Sequence, residues 1–71
     1  MTKSEIKRIN ATVGGMVLMD RDGPVYLEAR ADGLHYGTAC NVGLLSCGRV
    51  DCESYADLDR ALCEIVEILA D

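Results

Sequence analysis

Phenylalanine and tryptophan are absent from this chain of 71 residues, and Tyr26, Tyr36 and Tyr55 are its only rings. Any core must therefore be aliphatic, built from Leu, Ile, Val, Met and Ala. No apolar run approaches the roughly 20 residues that a membrane-spanning helix needs, so no membrane partner is expected. The N-terminus is polar and lacks the apolar segment of a secretory signal, which predicts a cytoplasmic protein. Pro24 is the single proline and His35 the single histidine. No low-complexity linker and no internal repeat interrupts the sequence.

Chemistry-bearing motifs are equally scarce. Cys40, Cys47, Cys52 and Cys63 contain no C-x2-C pair, and one histidine is too few for a mixed zinc site. Reduced thiols packed as small hydrophobes are expected, with a Cys47–Cys52 bridge or a metal as the alternatives. Gly14-Gly15 and Gly43 belong to no phosphate-binding pattern, since neither a Walker-type lysine nor G-x-G-x-x-G is present. Asp20-Arg21-Asp22-Gly23 lacks the later ligands and terminal Glu of a calcium loop and reads as a turn. His35 and Cys40, five apart on a strand, point to opposite faces and make a poor catalytic pair. A surface histidine beside Glu28 is expected instead. These absences predict no catalytic, cofactor-binding or metal-binding residue, no small-molecule substrate and no enzyme.

What the sequence does carry is a pattern of elements. Leu58, Leu62, Ile65 and Leu69 follow i, i+4, i+7, i+11 spacing, which predicts one amphipathic helix over Ser54–Asp71. Ser54 suits the N-cap, and Asp57 three residues on can complete a capping box. Thr2 and Glu5 repeat that signature, and with Ile6 and Ile9 they predict a short helix over 3–9, an extended arm being the alternative.

Residues 12–19 read as a first strand, with Gly14-Gly15 marking a bulge. Residues 20–24 form a turn that places Gly23 in a left-handed position and Pro24 at the start of the next strand. In 25–31, Val25, Leu27, Ala29 and Ala31 face one way and Tyr26, Glu28 and Arg30 the other. Asp32-Gly33 predicts a type I′ turn pairing Ala31 with Leu34 and Ala29 with Tyr36. A fourth strand is expected over 48–53, with Val50 and Cys52 on one side. The whole predicts an α+β domain over residues 1–71: an antiparallel sheet of three to four strands with the C-terminal helix packed on one face.

The formal net charge is −5. Residues 1–10 are basic on balance through Lys3, Lys7 and Arg8, whereas 51–71 hold seven acids against Arg60 alone. Direct nucleic-acid binding is not expected of such a surface. Two functions fit. The first is a non-enzymatic interaction or regulatory module, homodimeric through surplus apolar surface at Met16, Leu18, Tyr26, Tyr55 and Val66. Met16, Leu18 and Tyr26 are placed together on the sheet face away from the core. The alternative is an acidic inhibitor, of the kind mobile elements encode, whose carboxylates Asp57, Glu64, Glu67 and Asp71 imitate duplex phosphates to a DNA-binding protein. No stretch carries a motif that names a family.

Overall fold

A computed structural model describes residues 1–70, from α1 (Lys3–Val13) through β1 (Val17–Asp20), β2 (Gly23–Arg30), β3 (Gly33–Cys40) and β4 (Gly43–Val50) to α2 (Leu58–Ala70). The strands form one antiparallel sheet in the order β1-β2-β3-β4. Both helices lie on the same face, and the smallest dimension of 18 Å matches a single sheet layer under a single helix layer. The fold is α+β, as the sequence predicts.

The N-terminal helix is longer than the pattern at Ile6 and Ile9 suggests. Val13 extends the same stripe by one more turn, and Ile9 and Val13 are both fully buried. Thr2 Oγ1 accepts the Glu5 N–H at 3.2 Å, which starts the helix. Gly14-Gly15 ends it rather than forming a bulge, so β1 begins at Val17 instead of residue 12.

The three hairpins share one construction. Gly23, Gly33 and Gly43 have φ of 123°, 141° and 127°, each opening a strand after a two-residue turn. They recur ten residues apart, so the meander has a geometric repeat that the residue identities conceal. Among the described residues no other residue type has positive φ, which rules out the type I′ turn expected at Asp32-Gly33. The turn is Ala31-Asp32, and the register pairs Ala29 with Leu34 and Leu27 with Tyr36. This differs from the expected register by two residues. Because strand side chains alternate with period two, the inner face of β2 survives: Val25, Leu27 and Ala29 are buried as predicted, whereas Ala31, expected on the same face, lies in the turn and is exposed.

β4 spans Gly43–Val50 rather than 48–53, and its pairing with β3 slips by one residue between Tyr36 and Gly37. Cys47 is the extra residue of this bulge. Val50 and Cys52 do share the buried side.

The core lies between sheet and helices, with Leu27, Ala29, Leu34 and Val50 meeting Ile9 and Val13 of α1 and Leu58, Ala61 and Ile65 of α2. Two polar contacts dock α1. Asn10 donates from Nδ2 to the Ala29 carbonyl at 3.1 Å, and its Oδ1 accepts the Ala29 N–H at 2.7 Å. The amide thus does for β2 what a neighbouring strand would do, beyond the point where β1 stops. Arg8 stacks on Tyr55 with its guanidinium carbon 3.9 Å from the ring centre.

The C-terminal helix starts where its sequence says but with a different cap. Tyr55–Asp57 is a 3-10 turn, and the Ser54 side chain makes no cap hydrogen bond. Asp57 does reach back, accepting the Glu53 N–H at 3.3 Å. The stronger cap comes from α1, where Glu5 Oε2 accepts the Tyr55 N–H at 2.6 Å.

Candidate functional site

The buried line of α2 runs through Leu58, Ala61 and Ile65, with Leu62 and Leu69 only half-buried. Its centre is therefore rotated toward Ala61 from the expected Leu58/Leu62/Ile65/Leu69 stripe. That rotation leaves Leu62, Val66 and Leu69, at i, i+4 and i+7, on a flank the sheet does not cover.

Facing the flank is the chain between the end of α1 and β1. One cleft of about 410 Å³ is lined by Thr12, Met16, Tyr55, Leu58 and Leu62 among others. A second, of about 260 Å³, is lined by Leu18, Met19, Val66, Leu69 and Ala70. Together they make a largely apolar groove along one side of α2. β1 forms its far wall and is also an edge strand, paired only with β2.

The five apolar candidates from the sequence divide unevenly. Met16 and Val66 line the groove and are 36% and 50% exposed. Leu18 is opposite Val25, so it points toward the core side, where it forms part of the groove wall. Tyr26 alone is on the outer sheet face, across from Val17. The expectation that Met16, Leu18 and Tyr26 share that face is overturned. The observed register sets Val17, not Leu18, on the face of Tyr26, and a phase shift of one residue exchanges the faces of a strand. Tyr55 packs on the core and between the helices, its hydroxyl 3.4 Å from Thr12 Oγ1. Met19, at 72% exposed, is a groove residue outside the expected contact set, and the half-buried Leu62 and Leu69, expected in the buried stripe of α2, line the groove as well.

The acidic row is broken by its one cation. Arg60 donates to both oxygens of Asp57 at 2.7 and 2.8 Å and to Glu64 at 2.8 Å, and it also reaches the Asp51 carbonyl. The hydrogen bonds from Arg60 hold the Asp57 carboxyl down to about 2 and push the guanidinium further above its usual range. Asp57 and Glu64 are thus engaged within the chain. Glu67 is exposed, and Asp71 lies outside the described residues.

The outer sheet face holds a second polar cluster. His35 is 8% exposed rather than a surface residue, and its partner is not Glu28. Its Nε2 is 2.7 Å from Asp32 Oδ1 and its Nδ1 2.7 Å from Ser46 Oγ, while Ser46 also donates to the Gly48 carbonyl at 3.2 Å. The hydrogen bond with His35 is the main cause that lowers the Asp32 carboxyl. Glu28 pairs with Arg30 instead, at 2.9 Å. An Asp–His–Ser series suggests nucleophilic chemistry on paper. Here, however, Ser46 is set in a strand and hydrogen-bonded to the Gly48 carbonyl of that strand, an arrangement that fixes the imidazole across β3 and β4.

All four cysteines are free thiols; Cys52 is buried, which raises its thiol, and Cys40, Cys47 and Cys63 are exposed. The expectation of packed thiols therefore holds for Cys52 alone. Among the described residues no three His, Cys, Asp or Glu side chains converge as metal ligands, and no helix is long and apolar enough to cross a membrane. No protein-family model matches this chain, and no curated protein or solved structure matches it either.

Proposed function

We propose that the protein is a non-catalytic interaction module that self-associates, two copies meeting along β1 and the exposed flank of α2. The apolar groove carries this reading. Met16, Met19 and Val66 stand open along it, at 36%, 72% and 50% exposure, in a chain too small to build a deep core. Small chains commonly supplement such cores by oligomerisation.

A second copy suits the edge strand. Antiparallel pairing of β1 with its own twin about Leu18 sets Val17 opposite Met19 and Asp20 opposite Met16, so no like charges oppose each other. The result is one continuous eight-stranded sheet with a two-fold axis, and the two α2 flanks come together over it. A standard interface covers about 800 Å² per partner, a modest share of the 4636 Å² this chain exposes.

Absolute mass by light scattering after size exclusion, at low and at high salt, tests the reading. The expected result is twice the 7.7 kDa chain mass at both salts, since apolar contacts are not screened. Met19→Asp and Val66→Asp should each give a folded monomer by circular dichroism. A wild-type monomer at both salts overturns the proposal.

A further inference from the structure

A different part of the sheet opens a further cleft. β2 and β3 pair only from Tyr26–Gly37 to Arg30–Gly33. Below that row Gly23–Val25 remain paired with β1, and Thr38–Cys40 remain paired with β4, but the two segments have no register with each other. Gly37 and the bulge at Cys47 explain the parting. A side chain at Gly37 would overlap the Leu45 carbonyl and crowd the Cys47 N–H, so β3 and β4 are pressed together there.

The parting opens a cleft of about 170 Å³. Pro24 and Val25 of β2, Tyr36 and Thr38 of β3, Cys47 of β4 and Leu69 of α2 line it. Asp20 and Asp22 also line it, and among the described residues neither belongs to an ion pair. The volume is well below the roughly 300–1,000 Å³ of pockets that enclose a drug-sized ligand, so it suits a single side chain. Its chemistry is that of an apolar sleeve with carboxylates beside it, which complements an aliphatic stem ending in a cation. The chain's own arginines do not fill it. Arg8, Arg30, Arg49 and Arg60 are held by Tyr55, Glu28, Asp51 and Asp57, and Arg21 makes no ion pair with the acids that flank it.

We propose that this cleft receives a lysine or arginine side chain presented by another protein. The site adjoins the groove, with Leu69 lining both, and extends the interaction reading by naming what a partner must offer. Small probes test it without knowledge of that partner. Nα-acetyl-lysine N-methylamide and its norleucine counterpart, which has a similar stem and no charge, are titrated into 15N-labelled protein while amide shifts are followed.

The lysine probe should shift Val25, Gly37, Thr38 and Cys47 saturably in the millimolar range, and norleucine should bind at least about tenfold more weakly, the order of a desolvated charge contact. Asp20→Asn/Asp22→Asn should erase that difference. Asp20 also holds the Arg21 N–H at 2.8 Å, so Asp22→Asn alone serves as the variant that leaves the turn intact, with a smaller loss in the same direction. No saturable shift at these amides, equal affinity for both probes, or unchanged affinity in both variants overturns the proposal. A monomeric protein that passes this test would remove the self-association reading and leave this one standing.

Discussion

Glu5 and Tyr55 join the two ends of the chain: the Glu5 carboxylate accepts the Tyr55 N–H at 2.6 Å across fifty residues of sequence. A side chain of α1 thereby caps the start of the segment leading into α2, where Ser54 offers no side-chain hydrogen bond. Loss of an N-cap acceptor costs about 0.5–2 kcal/mol. Glu5→Ala should lower the melting temperature by several degrees, since about 1 kcal/mol corresponds to roughly 4–8 °C in a domain this size. Glu5→Gln keeps an acceptor oxygen and should recover most of the loss. Thermal denaturation of the two variants side by side decides the point.

Asn10 should be among the most sensitive polar positions. Its amide satisfies both backbone groups of Ala29, and Asn10→Ala leaves them without a protein partner, at a cost of about 1–3 kcal/mol. Asn10→Asp keeps the acceptor but turns a carboxylate toward the Ala29 carbonyl, so it should not restore stability. Hydrogen exchange at the Ala29 amide provides the local readout. Protection should fall in Asn10→Ala by more than the global loss of stability explains.

Asp57 sets part of the acid limb of stability. Its carboxyl lies near 2 in the folded chain against an ordinary 3.8, chiefly through the Arg60 hydrogen bonds. The folded state therefore binds this proton less readily than the unfolded chain does, and protonation favours unfolding. The contribution is complete above 3.8 and disappears as pH falls toward about 2. Urea unfolding between pH 5 and pH 2 should show a steeper decline for wild type than for Asp57→Asn, with the two curves converging at the acid end.

Gly37 and Gly15 make a contrasting pair. A methyl group at Gly37 meets the Leu45 carbonyl and the Cys47 nitrogen of β4, neither of which can swing aside, whereas at Gly15 nothing lies within 4 Å. Gly37→Ala should destabilise by about 1–3 kcal/mol or more, as overpacking against a fixed neighbour does. Gly15→Ala should change stability by less than about 1 kcal/mol. Equal effects at the two positions would mean that β3 and β4 are not pressed together at Gly37.

The parts of this fold legible in the sequence are those fixed by local periodicity. Leu58 to Leu69 gave α2 through its 3.6-residue spacing, and the alternation of Val25, Leu27 and Ala29 gave the inner face of β2. The misreadings arose where one residue type serves two geometries. Val13 is apolar in either a helix or a strand, and only burial beside Ile9 on the same helical stripe decides for the helix. Asp32-Gly33 is a strong hairpin signal, but Gly33 alone takes the positive φ, which frees the Asp32 carboxylate for His35.

The groove was half visible. Val66 and Met16 were identifiable as surplus apolar residues, whereas Met19 depended on the phase of a four-residue strand that its own alternation could not fix. The splayed cleft was not visible at all. It arises from one extra residue at Cys47, and nothing in the sequence of β4 marks a bulge except the small Gly48 beside it.

The ten-residue spacing of the turn glycines limits how this architecture can change in length. Each unit reverses the chain, so removing one strand with its turn would deliver the polypeptide to the opposite end of the sheet, and α2 would project away from the core. Removing β2 and β3 together would bring Asp20 against Gly43 and Leu18 against Leu45, with inward residues still inward and α2 still starting from the same end. Strands here can be gained or lost only in pairs, a rule that applies equally to recombination in nature and to a designer seeking a wider sheet.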